Sequence, residues 1–140
     1  MNIDGDVVTR SFAAEDFDEL VQDIVSEIEV RNYRVTRIYD IDNVLEQTER
    51  GLSAGMSFKH YKIVEFCNLN SCAQMMSADF LSGVFMPVKF IAYQGVDESR
   101  ASVSFLRPTR FAALFSAPQV MAIAEALEKD MSNVLDEIAY

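Results

Sequence analysis

Glycine and proline are scarce, five and three in 140 residues. The longest greasy stretch, Phe80 to Pro87, is far shorter than a bilayer crossing needs. So few chain breakers exclude a long linker, a phosphate-cradling glycine loop and an EF-hand, and no internal repeat or low-complexity segment occurs. Histidine occurs once and cysteine twice. One histidine with Cys67 and Cys72 falls short of a structural zinc site, and the cysteines do not have the C-x-x-C redox spacing. There is no H-E-x-x-H helix, and a hydrolytic triad would have to use His60, the one histidine. Basic residues number 12 against 22 acidic ones, a formal charge of −10. That sign repels nucleic-acid phosphate and anionic lipid at long range. The cluster Arg31, Arg34 and Arg37 dresses a helix end and a strand, so neither nucleic acid nor membrane is expected as a partner. The first residues, Met-Asn-Ile-Asp-Gly-Asp, are acidic and no apolar segment follows them. No secretory signal is read there, and a cytoplasmic location is expected.

What is present is apolar mass: 50% of the residues are hydrophobic, enough for one core in one domain. Asp6 to Phe12 reads as a strand. Phe17, Leu20, Val21, Ile24, Val25 and Ile28 form a helical stripe, with acidic residues at its start and Asn32 suited to a left-handed cap. Tyr33 to Ile41 and Phe58 to Cys67 read as strands, with a short helix capped by Asp42 and running through Val44 and Leu52 between them. Asn68 to Asp79 reads as a turn and short helix capped by Asn70 or Ser71. Val88 to Gln94 and Ala101 to Leu106 form a hairpin, which Pro108 ends. A second stripe, from Val120 through Leu127 and Met131 to Ile138, predicts a long final helix with Pro118 in its first turn. The expected class is α+β: an antiparallel sheet with two long helices on one face and short extra helices. Apolar residues on both faces of the middle strands predict that the open face meets a second copy or a ligand.

Several short motifs follow in order: Tyr61-Lys62-Ile63, Cys67-Asn68, Gly83, Met86-Pro87, Ile91-Ala92-Tyr93 and Arg107-Pro108, then the final helix. This order resembles the domain of unknown function 302 family, which carries Y-[KR]-I, C-N-P and G-x-x-L-P-C segments at this spacing. The resemblance implies a β-α-β4-α domain like the TATA-binding-protein fold, commonly a homodimer, and it implies no activity. Three positions depart from the family pattern. Leu69 replaces the proline of C-N-P, Val88 replaces the cysteine of L-P-C, and Cys72 stands where a small residue is usual. Chemistry on the family's cysteine pair is therefore broken unless Cys72 supplies the missing thiol.

The candidate ligand-binding residues are His60, Tyr61, Cys67, Asn68, Cys72 and Met86. Cys67 precedes a helix, where a thiol can be activated, although buried cysteine more often serves as a small hydrophobe. Cys72 lies about one turn further on, and a disulfide or shared ligand role depends on whether the sulfurs meet. Asn68 suits an Asx-turn or helix cap, and Asp79 a cap or a surface position. No cofactor is expected; haem ligation through His60 is the alternative to a surface strand residue. Met56, Met75, Met76 and Met86 read as core filler or as a pocket wall near His60. Lys62, Glu65 and Lys89 place unexpected charge in middle strands. The expected function is a non-enzymatic, homodimeric module. It would bind a small molecule or a protein between the sheet and the Cys67–Pro87 segment. The alternative is a thiol-dependent redox or sulfur-handling protein using Cys67 with Cys72 or His60. A purely scaffolding domain is the third reading.

Overall fold

Apolar residues alternating along the strands and recurring every three to four residues along the helices dictate two layers. The computed structural model describes residues 3–42 and 58–138. A short helix α1 (Ile3–Asp6) leads into β1 (Val7–Phe12), α2 (Phe17–Val30) and β2 (Arg34–Asp40). Then follow β3 (Phe58–Cys67), α3 (Leu69–Ala78), a 3-10 turn (Phe80–Phe85), β4 (Val88–Gly95), β5 (Ala101–Leu106), α4 (Pro108–Ala112) and α5 (Pro118–Glu137). The described strands make one antiparallel sheet in the order β1-β5-β4-β3-β2. The first strand thus closes one edge beside the last, with Val7 opposite Leu106 and Phe12 opposite Ala101.

Asp16 starts α2 by accepting hydrogen bonds from the backbone N–H groups of Asp18 and Glu19, at 3.0 and 3.3 Å. Asp18 and Glu19 also place negative charge at the positive end of the helix dipole. Phe17, Leu20, Val21, Ile24 and Ile28 bury their side chains on the sheet. Each contributes about 1.5–3 kcal/mol of apolar transfer energy. Asn32, at φ 65°, supplies the left-handed residue that ends the helix. Helix α5 buries Val120, Ala124, Leu127, Met131, Val134 and Leu135 in the same core. The sheet answers with Val64, Phe66, Val88, Phe90, Ala92 and Val103. Phe90 stacks on Phe66 at 5.2 Å and meets the edge of Phe105 at 5.5 Å.

The opposite sheet face carries half-buried Tyr61, Ile63, Ile91 and Tyr93. Ser104, only 2% exposed, shares hydrogen bonds there with Thr9 at 2.8 Å and Tyr93 at 3.1 Å. Glu65 pairs with Lys89 across β3 and β4 on this face, so both charges stand outside the core. Lys62 instead reaches Asp18 at 2.6 Å and Asp40 at 3.7 Å beside α2. Burial opposes its charge, but the hydrogen bond and attraction of Asp18, with Asp40 and Asp42, outweigh this and raise its pKa.

Two sequence expectations need correction. The cap of α3 is Asn68, in the helix-cap role its sequence suggested, and not Asn70 or Ser71, because β3 runs straight into the helix without an intervening turn. Pro108 does not merely end β5 but occupies the first turn of α4, where its missing N–H costs nothing. The short helix expected through Val44 and Leu52, and Met56, lie outside the described residues. Among the described residues, no helix is long and apolar enough to cross a membrane.

Candidate functional site

The end of β3 and the start of α3 are joined by one capping residue. Asn68 Oδ1 accepts from the backbone N–H of Ser71 at 3.1 Å. Its Nδ2 donates to the carbonyl of Asn32 at 3.1 Å, which ties this corner to the left-handed turn after α2. With Asn68 as the cap, Cys67 occupies the position before it and Cys72 the fourth helical position. These are the two places whose side chains meet in a hydrophobic staple. Here the staple is made of two thiols: Cys72 faces Cys67, and both are buried and free.

Two apolar cavities flank the pair. The first, about 210 Å³, lies between α3 and α5. Met75 and Met86 line it together with Ile123 and Leu127, and Ala122 and Ala126 line it from α5. Its polar contributions come from Tyr33, Asn68 and Ser71. The second, about 420 Å³, lies on the other side of α3 against Thr36, Leu69, Met76 and Pro87. Cys67, Cys72 and Met86 line both cavities and so form the wall between them. The peptide bond from Met86 to Pro87 is cis.

Burial pushes the Cys72 thiol upward in pKa, and the facing Cys67 adds to the shift against a smaller opposing effect from the backbone of Asn68. At Cys72 desolvation and a second sulfur therefore dominate over any activation at the helix start. Tyr33 donates a 2.6 Å hydrogen bond to Asp130 Oδ2. Burial first, and then that carboxylate, hold the Tyr33 hydroxyl well above its ordinary pKa. Asp79 caps the 3-10 turn, as expected, by accepting from Leu81 N–H at 3.0 Å. Buried Ser82 ties this turn back to α3 through the carbonyls of Asp79 and Met75.

The structure brings together Cys67, Asn68, Cys72 and Met86 and leaves His60 and Tyr61 elsewhere. His60 stands toward the other end of β3, roughly 23 Å from Cys67 at ~3.3 Å per residue. Its ring stacks on Phe17 at 4.6 Å, and its Nδ1 lies 3.2 Å from Asp42 Oδ2. Burial disfavours the Asp42 charge, but its hydrogen bonding with Asp40 and with His60, and the nearby Lys62 charge, hold its carboxyl below the usual range. His60 thus belongs to a cluster with Asp42 beside α2 and lines neither cavity. Tyr61 stacks on Tyr93 at 5.8 Å on the open sheet face. The methionine wall expected near His60 therefore forms near the thiols instead, from Met75, Met76 and Met86. Among the described residues, no group of three histidine, cysteine, aspartate or glutamate side chains gathers as a metal site.

Tyr33 and the α5 residues were not singled out by sequence. Ala122 and Ala126 are spaced for one helix face, but nothing local tells that α3 crosses that face.

A family model described as "Domain of unknown function DUF302" matches residues 8–138. No curated protein matches the sequence. Among solved structures, the chain is similar to the "uncharacterized conserved protein DUF302 from Bacillus stearothermophilus". That match has a TM-score of 0.77 and 21% identity, over 93% of this chain and 95% of that one. At that identity the likeness speaks to the fold alone. The motif order from Tyr61 to the final helix, the five-stranded sheet and the matched span agree, and the chain belongs to the DUF302 family.

Proposed function

We propose that this domain is a binding module for a small, mainly apolar molecule held between α3 and α5, and that it works as a homodimer. The observation that carries the reading is the first cavity, with its methionine and aliphatic walls and few polar groups. Binding sites characteristically combine an apolar concavity with a few orienting polar atoms. The unbranched side chains of Met75 and Met86 can adapt to a guest. The second copy is assigned to the open sheet face. The centre of that face is neutral and apolar, at Ile63 and Ile91. Glu65 and Lys89 sit side by side there, so a two-fold interface lets each meet its opposite charge on the other copy.

A thermal-shift screen of small apolar compounds tests the ligand reading. A ligand at 100 times its Kd adds about 2.7 kcal/mol of stability. Exposed Ala126 stands at the cavity mouth, so Ala126→Phe should fold normally and lose that stabilisation. Equal stabilisation of both proteins, or of neither, contradicts the reading.

A second reading, thiol redox or sulfur-handling chemistry, is favoured by one observation: Cys67 and Cys72 hold the staple positions around Asn68 and line the same cavities. It draws no support from His60, which stands at the far end of β3.

A further inference from the structure

The two cavities share one wall, and it contains three sulfurs. Cys67, Cys72 and Met86 line both sides, the two thiols face each other as the staple pair before and inside α3, and the cysteines are 8% and 7% exposed. We propose that Cys67, Cys72 and Met86 form a binding site for a soft monovalent metal ion, copper(I) in the first instance. This goes beyond the small-molecule reading and does not depend on it.

Ligand type selects the ion. Thiolate and thioether sulfur are the donors that favour copper(I), while hard divalent ions prefer carboxylate, carbonyl and water. Copper(I) is satisfied by two or three sulfurs, whereas a structural zinc site needs four ligands. Among the described residues no three histidine, cysteine or acidic side chains gather here, so two thiols and a thioether are the donors on offer, a set that suits copper(I). Placement also fits. Two sulfurs each about 2.3 Å from a shared metal stand about 4 Å apart at trigonal or tetrahedral angles. Cys67 and Cys72 hold the two positions whose side chains meet in a hydrophobic staple and line the same two cavities with Met86, so all three sulfurs face one place.

Electrostatics favours a single positive charge. Two thiolates facing each other in an apolar wall repel, and one monocation between them cancels most of that repulsion. The balance is two thiols plus Cu(I) giving a dithiolate complex of charge −1 and two released protons, with no change of oxidation state. The groups facing the pair from packed elements are the Tyr33 hydroxyl and, through its hydrogen bond, Asp130 of α5. The Tyr33 hydroxyl keeps its proton at neutral pH, and its hydrogen bond occupies Asp130. The released protons are therefore those of the thiols, and affinity rises with pH, by up to about 100-fold per unit while both thiols are protonated.

The test is an anaerobic titration of the reduced chain with copper(I) buffered by the chromophoric chelator bathocuproine disulfonate. The expected result is one equivalent of copper withdrawn from the chelator. Withdrawal should be lost in Cys67→Ser and Cys72→Ser and weakened at least tenfold in Met86→Leu. Circular dichroism establishes that each variant is folded. Should a cysteine variant unfold, X-ray absorption of the loaded wild-type chain decides: a shell of two or three sulfurs supports the site. A wild-type chain that cannot compete with the chelator overturns the proposal, as does a nitrogen or oxygen shell. Undiminished competition by folded Cys67→Ser or Met86→Leu also overturns it.

Discussion

Replacing Asn68 by alanine should loosen the corner that holds both thiols. Two hydrogen bonds are lost: the cap to Ser71 N–H at 3.1 Å and the tie to the Asn32 carbonyl at 3.1 Å. An N-cap is worth about 1 kcal/mol. A neutral side chain-to-backbone bond is worth about 0.5–1.5 kcal/mol, and the exposed setting of this one places it at the low end. The loss is therefore about 1.5 kcal/mol. At ~2.1 cal/mol/K per residue the unfolding entropy of this chain is about 0.3 kcal/mol/K, so Tm should fall by about 5 °C. Urea unfolding followed by circular dichroism measures it. Asn68→Asp separates the two bonds, since the carboxylate keeps the acceptor for Ser71 and lacks the donor for Asn32. It should lose only about 0.5 kcal/mol. Because α3 frays from this end in the alanine variant, Cys72 should also be alkylated faster by iodoacetamide. An alanine variant within about 0.3 kcal/mol of wild type, or an aspartate variant as weak as alanine, refutes the capping account.

Tyr33 keeps its proton in the folded chain well above the ordinary value of 10.0, through burial and then Asp130. The unfolded chain loses that proton above about pH 10. The stabilisation is thus complete below pH 10 and is lost as pH rises, by at most about 1.4 kcal/mol per unit and less for a half-buried ring. Tyr33→Phe should flatten the alkaline fall in urea midpoint, and an unchanged slope contradicts this. At the open sheet face, Ile91→Lys should convert a dimer to a monomer by light scattering with little change in Tm; a wild-type chain that is monomeric at about 100 µM, far above a micromolar Kd, rules out the dimer.

The long elements were legible because their patterns are strong. The stripe from Phe17 to Ile28, the capping acids and Asn32 all point to one helix, and the structure ends it where Asn32 turns left-handed. The hairpin of β4 and β5 was equally plain from alternation around Gly95. The site was half legible. Once Asn68 is recognised as the cap, the meeting of Cys67 and Cys72 follows from staple geometry, but Asn70 and Ser71 offer competing caps in sequence. Grouping His60 with the thiols failed because one strand carries both and its extended backbone holds them far apart. The α5 wall was not legible, since Ala122 and Ala126 acquire a role only where α3 crosses them.

If the sulfur-lined space between α3 and α5 accepts a guest, the methionines that wall it must sense the guest. The most direct measurement is a carbon-13 spectrum of methyl-labelled methionines during titration with a small apolar probe such as indole. The Met75 and Met86 methyl signals should shift together and saturate, while Met131, buried deeper along α5, stays in place. Stationary Met75 and Met86 signals, or equal movement of every methionine, would contradict it.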